Sequence, residues 1–376
     1  MKRLRLCFLV ESGTDVRLVE GLAERFDLTI LARKIEGGVE ISQPPSVPVN
    51  MTVGPASRLG FARMVARHLV ERRGEIDRVI VQGYAMAALA ANLTGGKLGI
   101  PTYMLVCSPV EAYYRCRREH AEPGKPFRRH ELLGLEALAR LNARVGQRSL
   151  VLSHHLADVV RTHGGSLPID VVPIYGVDTT LFTPTNETKG AVRARLGLPE
   201  DGQLVFFSSR IAPEKDAETL LSAVKRLRDE GRDVRLLHRS GGYRGFLRDA
   251  ARFGVESSVI AGDAVHPHRE LPDLYRACDL CVQASREEGL GFSPLEALAC
   301  GVPVVASAVG GLLETIHANT GWSFTAGDAG ALAVCMREAL DHPDEAARRA
   351  AAGRKLVQAG FDRRTVFDRL QSVLEG

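Results

Sequence analysis

The stretch Ser285-Arg286-Glu287-Glu288-Gly289-Leu290-Gly291-Phe292-Ser293-Pro294-Leu295-Glu296-Ala297-Leu298-Ala299-Cys300-Gly301, continued by Val302-Pro303-Val304-Val305-Ala306-Ser307 and Gly310-Gly311, constrains this chain most. It reads as a glycine-bearing loop, a short helix and a buried strand. Ser293 is the expected N-cap, Pro294 suits the first helical position because its missing amide hydrogen would have had no partner, and Glu296 falls at the third. Gly301 ends the helix and Pro303 keeps it from resuming. Residues 302–306 are apolar on both faces, as an inner strand of a helix-covered parallel sheet requires. A loop that feeds a helix at a sheet edge aims amide hydrogens and a positive dipole end at one spot, and Gly289 and Gly291 let a ligand come close. That geometry suits a phosphate or diphosphate. Glu288 and Glu296 frame the loop. Taken alone, Ser293-x-x-Glu296 is equally a capping box and Glu288 a solvated acid.

The rest of the chain alternates short apolar runs with segments of helical period, the pattern of α/β units. Residues 4–10 read as a strand, Glu11 to Asp15 as a turn containing Gly13, and residues 16–26 as an amphipathic helix, which opens a doubly wound unit. Further strands are expected at 28–31, 49–53, 78–81, 103–106 and 149–152, and helices at 59–71, 86–93 and 131–144. Residues 115–130 hold Arg115, Arg117, Arg118, Lys125, Arg128 and Arg129 around Pro123-Gly124 and read as a mobile basic loop. In the second half, strand 204–208 leads into Ser209-Arg210-Ile211-Ala212-Pro213-Glu214-Lys215. Arg210 and Lys215 can converge on one anion there, each charge-assisted contact contributing ~1.5–3 kcal/mol; taken alone, Lys215 is a surface lysine. Strands at 234–237, 280–283 and 321–324 and helices at 271–277, 329–340, 344–358 and 361–374 complete the reading.

A length of 376 residues is comfortable for two cores, and 45% hydrophobic with 25% charged residues is ordinary for a soluble protein. No stretch approaches the ~20 apolar residues of a membrane span. The first apolar run stops at Glu11, too early for a secretory signal, so a cytoplasmic location is expected. The seven cysteines are scattered and odd in number, which suits reduced core residues. Cys278-x-x-Cys281 has no second pair, His154 and His155 point apart on a helix, and His266-Pro267-His268 has no acid to complete a set, so neither a metal nor another cofactor is expected. The net charge of +4 comes from the first half, which could favour an anionic acceptor or the anionic face of a membrane. The low density of Arg and Lys and the 6% aromatic content argue against nucleic acid.

The ungapped run from Glu288 to Ser307, with Gly310-Gly311 and Glu314, resembles the E-x7-E signature of retaining, nucleotide-sugar-dependent glycosyltransferases of family 4. Arg210 and Lys215 resemble that family's R-x4-K diphosphate pair. The resemblance implies an α/β fold of two Rossmann-like domains facing across a cleft (GT-B), with the C-terminal helix crossing back to the first. The expected boundaries are 1–175, joined by 360–376, for the acceptor-binding domain, and 176–359 for the nucleotide-sugar domain. It assigns donor binding to Gly13, Arg210, Lys215, Val265, Glu288, Gly289, Leu290, Gly291, Phe292 and Glu296. Glu288 would lie against the donor sugar's hydroxyls and Glu296 would bind the ribose hydroxyls. Arg210, Lys215 and Glu288 would carry catalysis without a metal.

Residues 107–115 follow a strand end, where ligands of open α/β sheets lie, which makes Ser108, Glu111, Tyr113 and Arg115 acceptor candidates. Cys107 and Ser108 stand where many relatives have a histidine followed by an acid. Tyr175 replaces an asparagine of the interdomain stretch, and His238-Arg239 replaces a compact glycine turn. Peripheral contact with an anionic membrane or a lipid-linked acceptor also fits. A nucleotide-sugar 2-epimerase and a non-catalytic sugar- or nucleotide-binding scaffold remain alternatives. A dehydrogenase is disfavoured, because the first glycine turn lacks the dinucleotide fingerprint.

Overall fold

The computed structural model describes residues 3–35, 38, 40–120, 129–240, 242–263 and 270–376, with only the backbone of Arg129. The chain forms two compact units, one of Met1–Glu111, Phe127–Gly176 and Arg364–Gly376, the other of Ala112–Pro126 and Val177–Arg363.

The first unit is built on β1 (Arg5–Val10), β2 (Asp27–Arg33), β3 (Asn50–Gly54), β4 (Arg78–Gln82), β5 (Thr102–Val106), β6 (Arg148–Val151) and β7 (Ile169–Val171). Their order is β3-β2-β1-β4-β5-β6-β7, and every pairing is parallel. The second unit carries β8 (Gln203–Phe206), β9 (Val234–Arg239), β10 (Val259–Gly262), β11 (Leu280–Gln283), β12 (Val304–Ser307) and β13 (Trp322–Phe324), in the order β10-β9-β8-β11-β12-β13, again all parallel. Both are Rossmann-like sheets, as the alternating pattern implies. Their inner strands are buried because helices return each strand to the same end and cover both faces. In the second unit Phe207, Leu220, Leu221, Val224, Leu236 and Phe246 belong to one apolar core.

Each sheet reverses its strand order once, between β1 and β4 and between β8 and β11. Ligands of such sheets bind beyond the C-terminal strand ends at this reversal. In the second unit, those ends deliver Arg210 and the loop at Glu288.

Of the basic segment after β5, Lys125 and Arg128 lie outside the described residues, and the described part differs from its expected form. Val110–Glu119 is a helix, and Ala112–Pro126 groups with the second unit. Tyr113 and Arg117 sit four positions apart, one helical turn, and the Arg117 guanidinium lies 5.6 Å from the Tyr113 ring centroid. Residues 259–262 form a further strand, β10.

The helix Arg363–Glu375 closes the first unit. Val366, Phe367, Leu370 and Leu374 are its buried face, Arg25 bonds Asp368 at 2.7 Å, and Arg78 donates to the Leu374 carbonyl at 2.7 Å. A Cβ on Gly21, in the helix Val16–Arg25, would fall inside the Phe367 ring. Gly21→Ala should therefore overpack this seat, costing ~1–3 kcal/mol and lowering the denaturation midpoint of the first unit.

Candidate functional site

β8 runs out through Phe207, Ser208 and Ser209 to Arg210, then one 3₁₀ turn, Pro213–Lys215, precedes the helix Ala217–Asp229. Asp216 joins the two at φ 47°, the only positive φ outside glycine among the described residues. Its carboxylate caps the helix, accepting from Thr219 N at 3.3 Å and Thr219 Oγ1 at 2.6 Å, and meets Arg286 Nη2 at 3.0 Å. Arg286 N also donates to the Glu214 carbonyl at 2.9 Å. The turn bearing Lys215 is thus pinned to the start of the signature loop.

Lys215 Nζ lies 2.6 Å from Glu288 Oε2, with both side chains almost wholly buried. The same oxygen accepts from Gln283 Nε2 and from Ser285 Oγ, each at 3.1 Å. Gln283 is held in turn by Ser209 Oγ at 2.8 Å. Glu288 Oε1 receives only a long bond of 3.4 Å from the Tyr113 hydroxyl. Burial and the nearby Glu288 charge push the Tyr113 phenol well above its ordinary range. A buried ion pair holds when its remaining valences are satisfied, and here serine and glutamine satisfy them.

Arg210 does not converge with Lys215 on one carboxylate. Its Nη2 bonds Glu214 Oε1 at 2.9 Å, and most of its side chain is exposed. Glu214 has no exposed surface. Arg117 grips it with both arms of its guanidinium, Nε to Oε2 at 2.9 Å and Nη2 to Oε1 at 2.5 Å. Burial alone would raise the Glu214 pKa, but the hydrogen bonds and charge of Arg117, with the charge of Arg210, bring it below the usual value.

The signature helix spans Phe292–Ala299 and starts two residues earlier than expected. Gly291, at φ 94°, is its N-cap and no side chain caps it, so Ser293 is not the cap and the capping box does not form. The physical reason is the left-handed turn at Gly291, which no side chain favours and which brings Phe292 into the helix. Gly311 fits against the Gly289 carbonyl with no room for a Cβ and donates its amide to the Glu288 carbonyl at 3.1 Å. Glu296 is buried and accepts from the Tyr275 hydroxyl at 2.8 Å. Tyr275, itself fully buried, is 3.1 Å from Ser208 Oγ.

Of the remaining candidates, Gly13, Ser108 and Glu111 belong to the first unit and Arg115 to the second. Gly13 has φ 83° in the first unit, Ser108 is half-buried and Arg115 is exposed. Glu111 is buried, bonded to the Tyr84 hydroxyl and 3.1 Å from His163 Nε2. Burial raises its pKa, but those two partners outweigh burial and hold it below the usual value. Glu111 is therefore a fixed internal group. Leu290 is buried, so its backbone alone faces the loop. Val265 and His266-Pro267-His268 lie outside the described residues. All seven cysteines are free thiols, and among the described residues no three His, Cys, Asp or Glu side chains cluster as a metal site. Sequence reasoning missed Arg117, Gln283 and Tyr275. Only Gln283 carried a signal, as a polar residue ending the apolar strand β11.

Residues 188–356 match the sequence model of the family described as Glycosyl transferases group 1. The GDP-mannose-dependent monoacylated alpha-(1-6)-phosphatidylinositol monomannoside mannosyltransferase of Corynebacterium glutamicum is 32% identical over 53% of this chain and 54% of its own length. The D-inositol 3-phosphate glycosyltransferase of Thermobispora bispora is 33% identical over 64% of this chain and 58% of its own. The chain spans about half the length of the curated relatives it matches. The solved structure of sucrose-phosphate synthase from Thermosynechococcus elongatus shares the fold, with a TM-score of 0.80 at 20% identity over 99% of this chain and 98% of that one.

His238, which with Arg239 stands in place of the family's compact glycine turn, points into the core. It has no exposed surface, its Nδ1–H donates to the Phe207 carbonyl at 2.8 Å, and its ring packs on Phe207 and Phe246 at centroid distances of 5.6 and 4.7 Å. Its Nε2 is buried without a partner. Burial holds the pKa below the ordinary value, outweighing the Phe207 carbonyl. The unfolded chain therefore takes up this proton first as pH falls, and stability is lost below about pH 6.5. In urea titrations from pH 8 to 5, His238→Leu should gain stability relative to the wild type as the pH is lowered.

Proposed function

Since the chain belongs, through residues 188–356, to the Glycosyl transferases group 1, we propose that it transfers a sugar from a nucleotide-diphosphate sugar to a hydroxyl acceptor with retention at the anomeric carbon. The observation that carries this reading is the buried Lys215–Glu288 pair, set at the strand-order reversal of the second sheet with Arg210 nearby.

In this reading each side chain has one task. Transfer breaks the bond between the anomeric carbon and the diphosphate and leaves negative charge on the phosphate. Lys215 has three N–H donors and spends one on Glu288, so two remain for phosphate oxygens. Arg210 and the backbone amides at Gly291 and Phe292 add fixed positive charge where the negative charge develops, which is electrostatic preorganisation. Glu288 Oε1, weakly engaged in the resting site, accepts from the sugar hydroxyls, and Glu296 from those of the ribose. The departing phosphate helps to take the proton of the acceptor hydroxyl.

The donor is a UDP- or GDP-sugar. The acceptor is an inositol phosphate or an inositol-bearing lipid, a class suggested by what the two curated relatives are named for. No helix among the described residues is long and apolar enough to cross a membrane. A lipid acceptor would therefore be met by peripheral contact, at the cytoplasmic face.

Thermal stabilisation by UDP, GDP, ADP and dTDP and by their sugars identifies the donor, since ligand at 100 times its dissociation constant adds ~2.7 kcal/mol. Product analysis with and without acceptor then separates transfer from epimerisation. Lys215→Ala and Glu296→Ala should abolish transfer while circular dichroism still reports a folded chain. Normal turnover in either would refute the assignment. Glu288→Gln should raise KM for the nucleotide sugar more than it raises Kd for the nucleoside diphosphate; equal losses would contradict its contact with the sugar.

A further inference from the structure

The charges around the reversal point of the second sheet do not balance pair by pair. Lys215 is matched by Glu288 at 2.6 Å and Arg286 by Asp216 at 3.0 Å. Glu214 alone carries two arginines, Arg117 at 2.5 Å and Arg210 at 2.9 Å. The two contacts are unequal. Arg117 spans both carboxylate oxygens in the parallel fork that favours guanidinium–carboxylate pairs, backed by the Tyr113 ring. Arg210 touches one oxygen with one nitrogen and leaves most of its side chain exposed.

We propose that Arg117, on the helix Val110–Glu119, is a positioning residue that neutralises Glu214 and thereby leaves the charge of Arg210 for the diphosphate of the donor. The inference rests on the donor reading above, and it concerns where the surplus positive charge comes from. Without Arg117, Arg210 is the one cation left beside the buried Glu214 among the described residues. Arg210 then closes on it as a two-armed pair, and the group meant for the diphosphate is drawn back and cancelled. A buried carboxylate stripped of its partner is costly, so this collapse is the favoured response. Arg117 does not itself touch the reacting atoms in this scheme. It acts by occupying an acid.

A suppressor experiment distinguishes this from a purely structural role for the helix. The dissociation constants of UDP and GDP are measured by calorimetry at fixed ionic strength on the full chain, as wild type, Arg117→Ala, Glu214→Gln and the Arg117→Ala/Glu214→Gln double variant. Arg117→Ala should weaken the preferred nucleotide about tenfold, the scale of one charge-assisted hydrogen bond. The double variant, in which no acid remains to capture Arg210, should recover to within about threefold of the wild type. Glu214→Gln alone should bind as well as the wild type or better.

A strut would show the opposite pattern. Loss in Arg117→Ala that Glu214→Gln does not restore overturns the proposal, as does an Arg117→Ala chain that binds like the wild type. Should Arg117→Ala fail to fold, the double variant, which has no unpaired buried acid, decides the matter: recovery of the fold without recovery of binding overturns it. A wild-type chain that binds neither nucleotide removes the donor reading itself, a result distinct from any of these.

Discussion

A lysine and a glutamate brought together out of water hold the second unit's loops in place. The Lys215–Glu288 pair lies almost fully buried, and such pairs are stable only where neighbouring donors finish the work. Gln283 and Ser285 do so directly and Ser209 does so through Gln283. These residues come from the ends of β8 and β11, which adjoin in the sheet. Parallel pairing of those two strands therefore fixes the electrostatics. A second tie, Arg286 to Asp216, secures the same two chain segments from the other side.

Much of this could be read from residue order. The apolar runs that became β8, β11 and β12 are unambiguous because inner parallel strands need apolar side chains on both faces. The E-x7-E and R-x4-K spacings fall on the loops that carry the Lys215–Glu288 pair, and glycine and proline punctuate those loops. What escaped reading depended on contacts far apart in sequence. Ser293 had the right chemistry for a helix cap, but the left-handed turn at Gly291 started the helix earlier. Arg117 looked like one solvated arginine among many, because nothing near residue 117 announces a buried acid at 214. His238 stands where the family has a compact glycine turn, and the core took it in because Phe207 and Phe246 offer an aromatic slot and a carbonyl.

The two units use buried acids differently. In the first, Glu111 is tied to Tyr84 and His163 and serves the packing around it. In the second, Glu214 and Glu288 each keep one partner in partial engagement, Arg210 in one case and Tyr113 in the other. A carboxylate whose second valence is loosely met leaves a contact that a ligand can replace at small cost.

The last helix has a consequence for how the chain is made. Residues 364–376 complete the core of the first unit, although Val177–Arg363 of the second unit separates them from it in sequence. On the ribosome, the earlier sheet must wait, with an apolar seat near Gly21 open to solvent, until some two hundred further residues have been synthesised. The seat for Phe367 thus stays uncovered in the nascent first unit while the residues of the second are made.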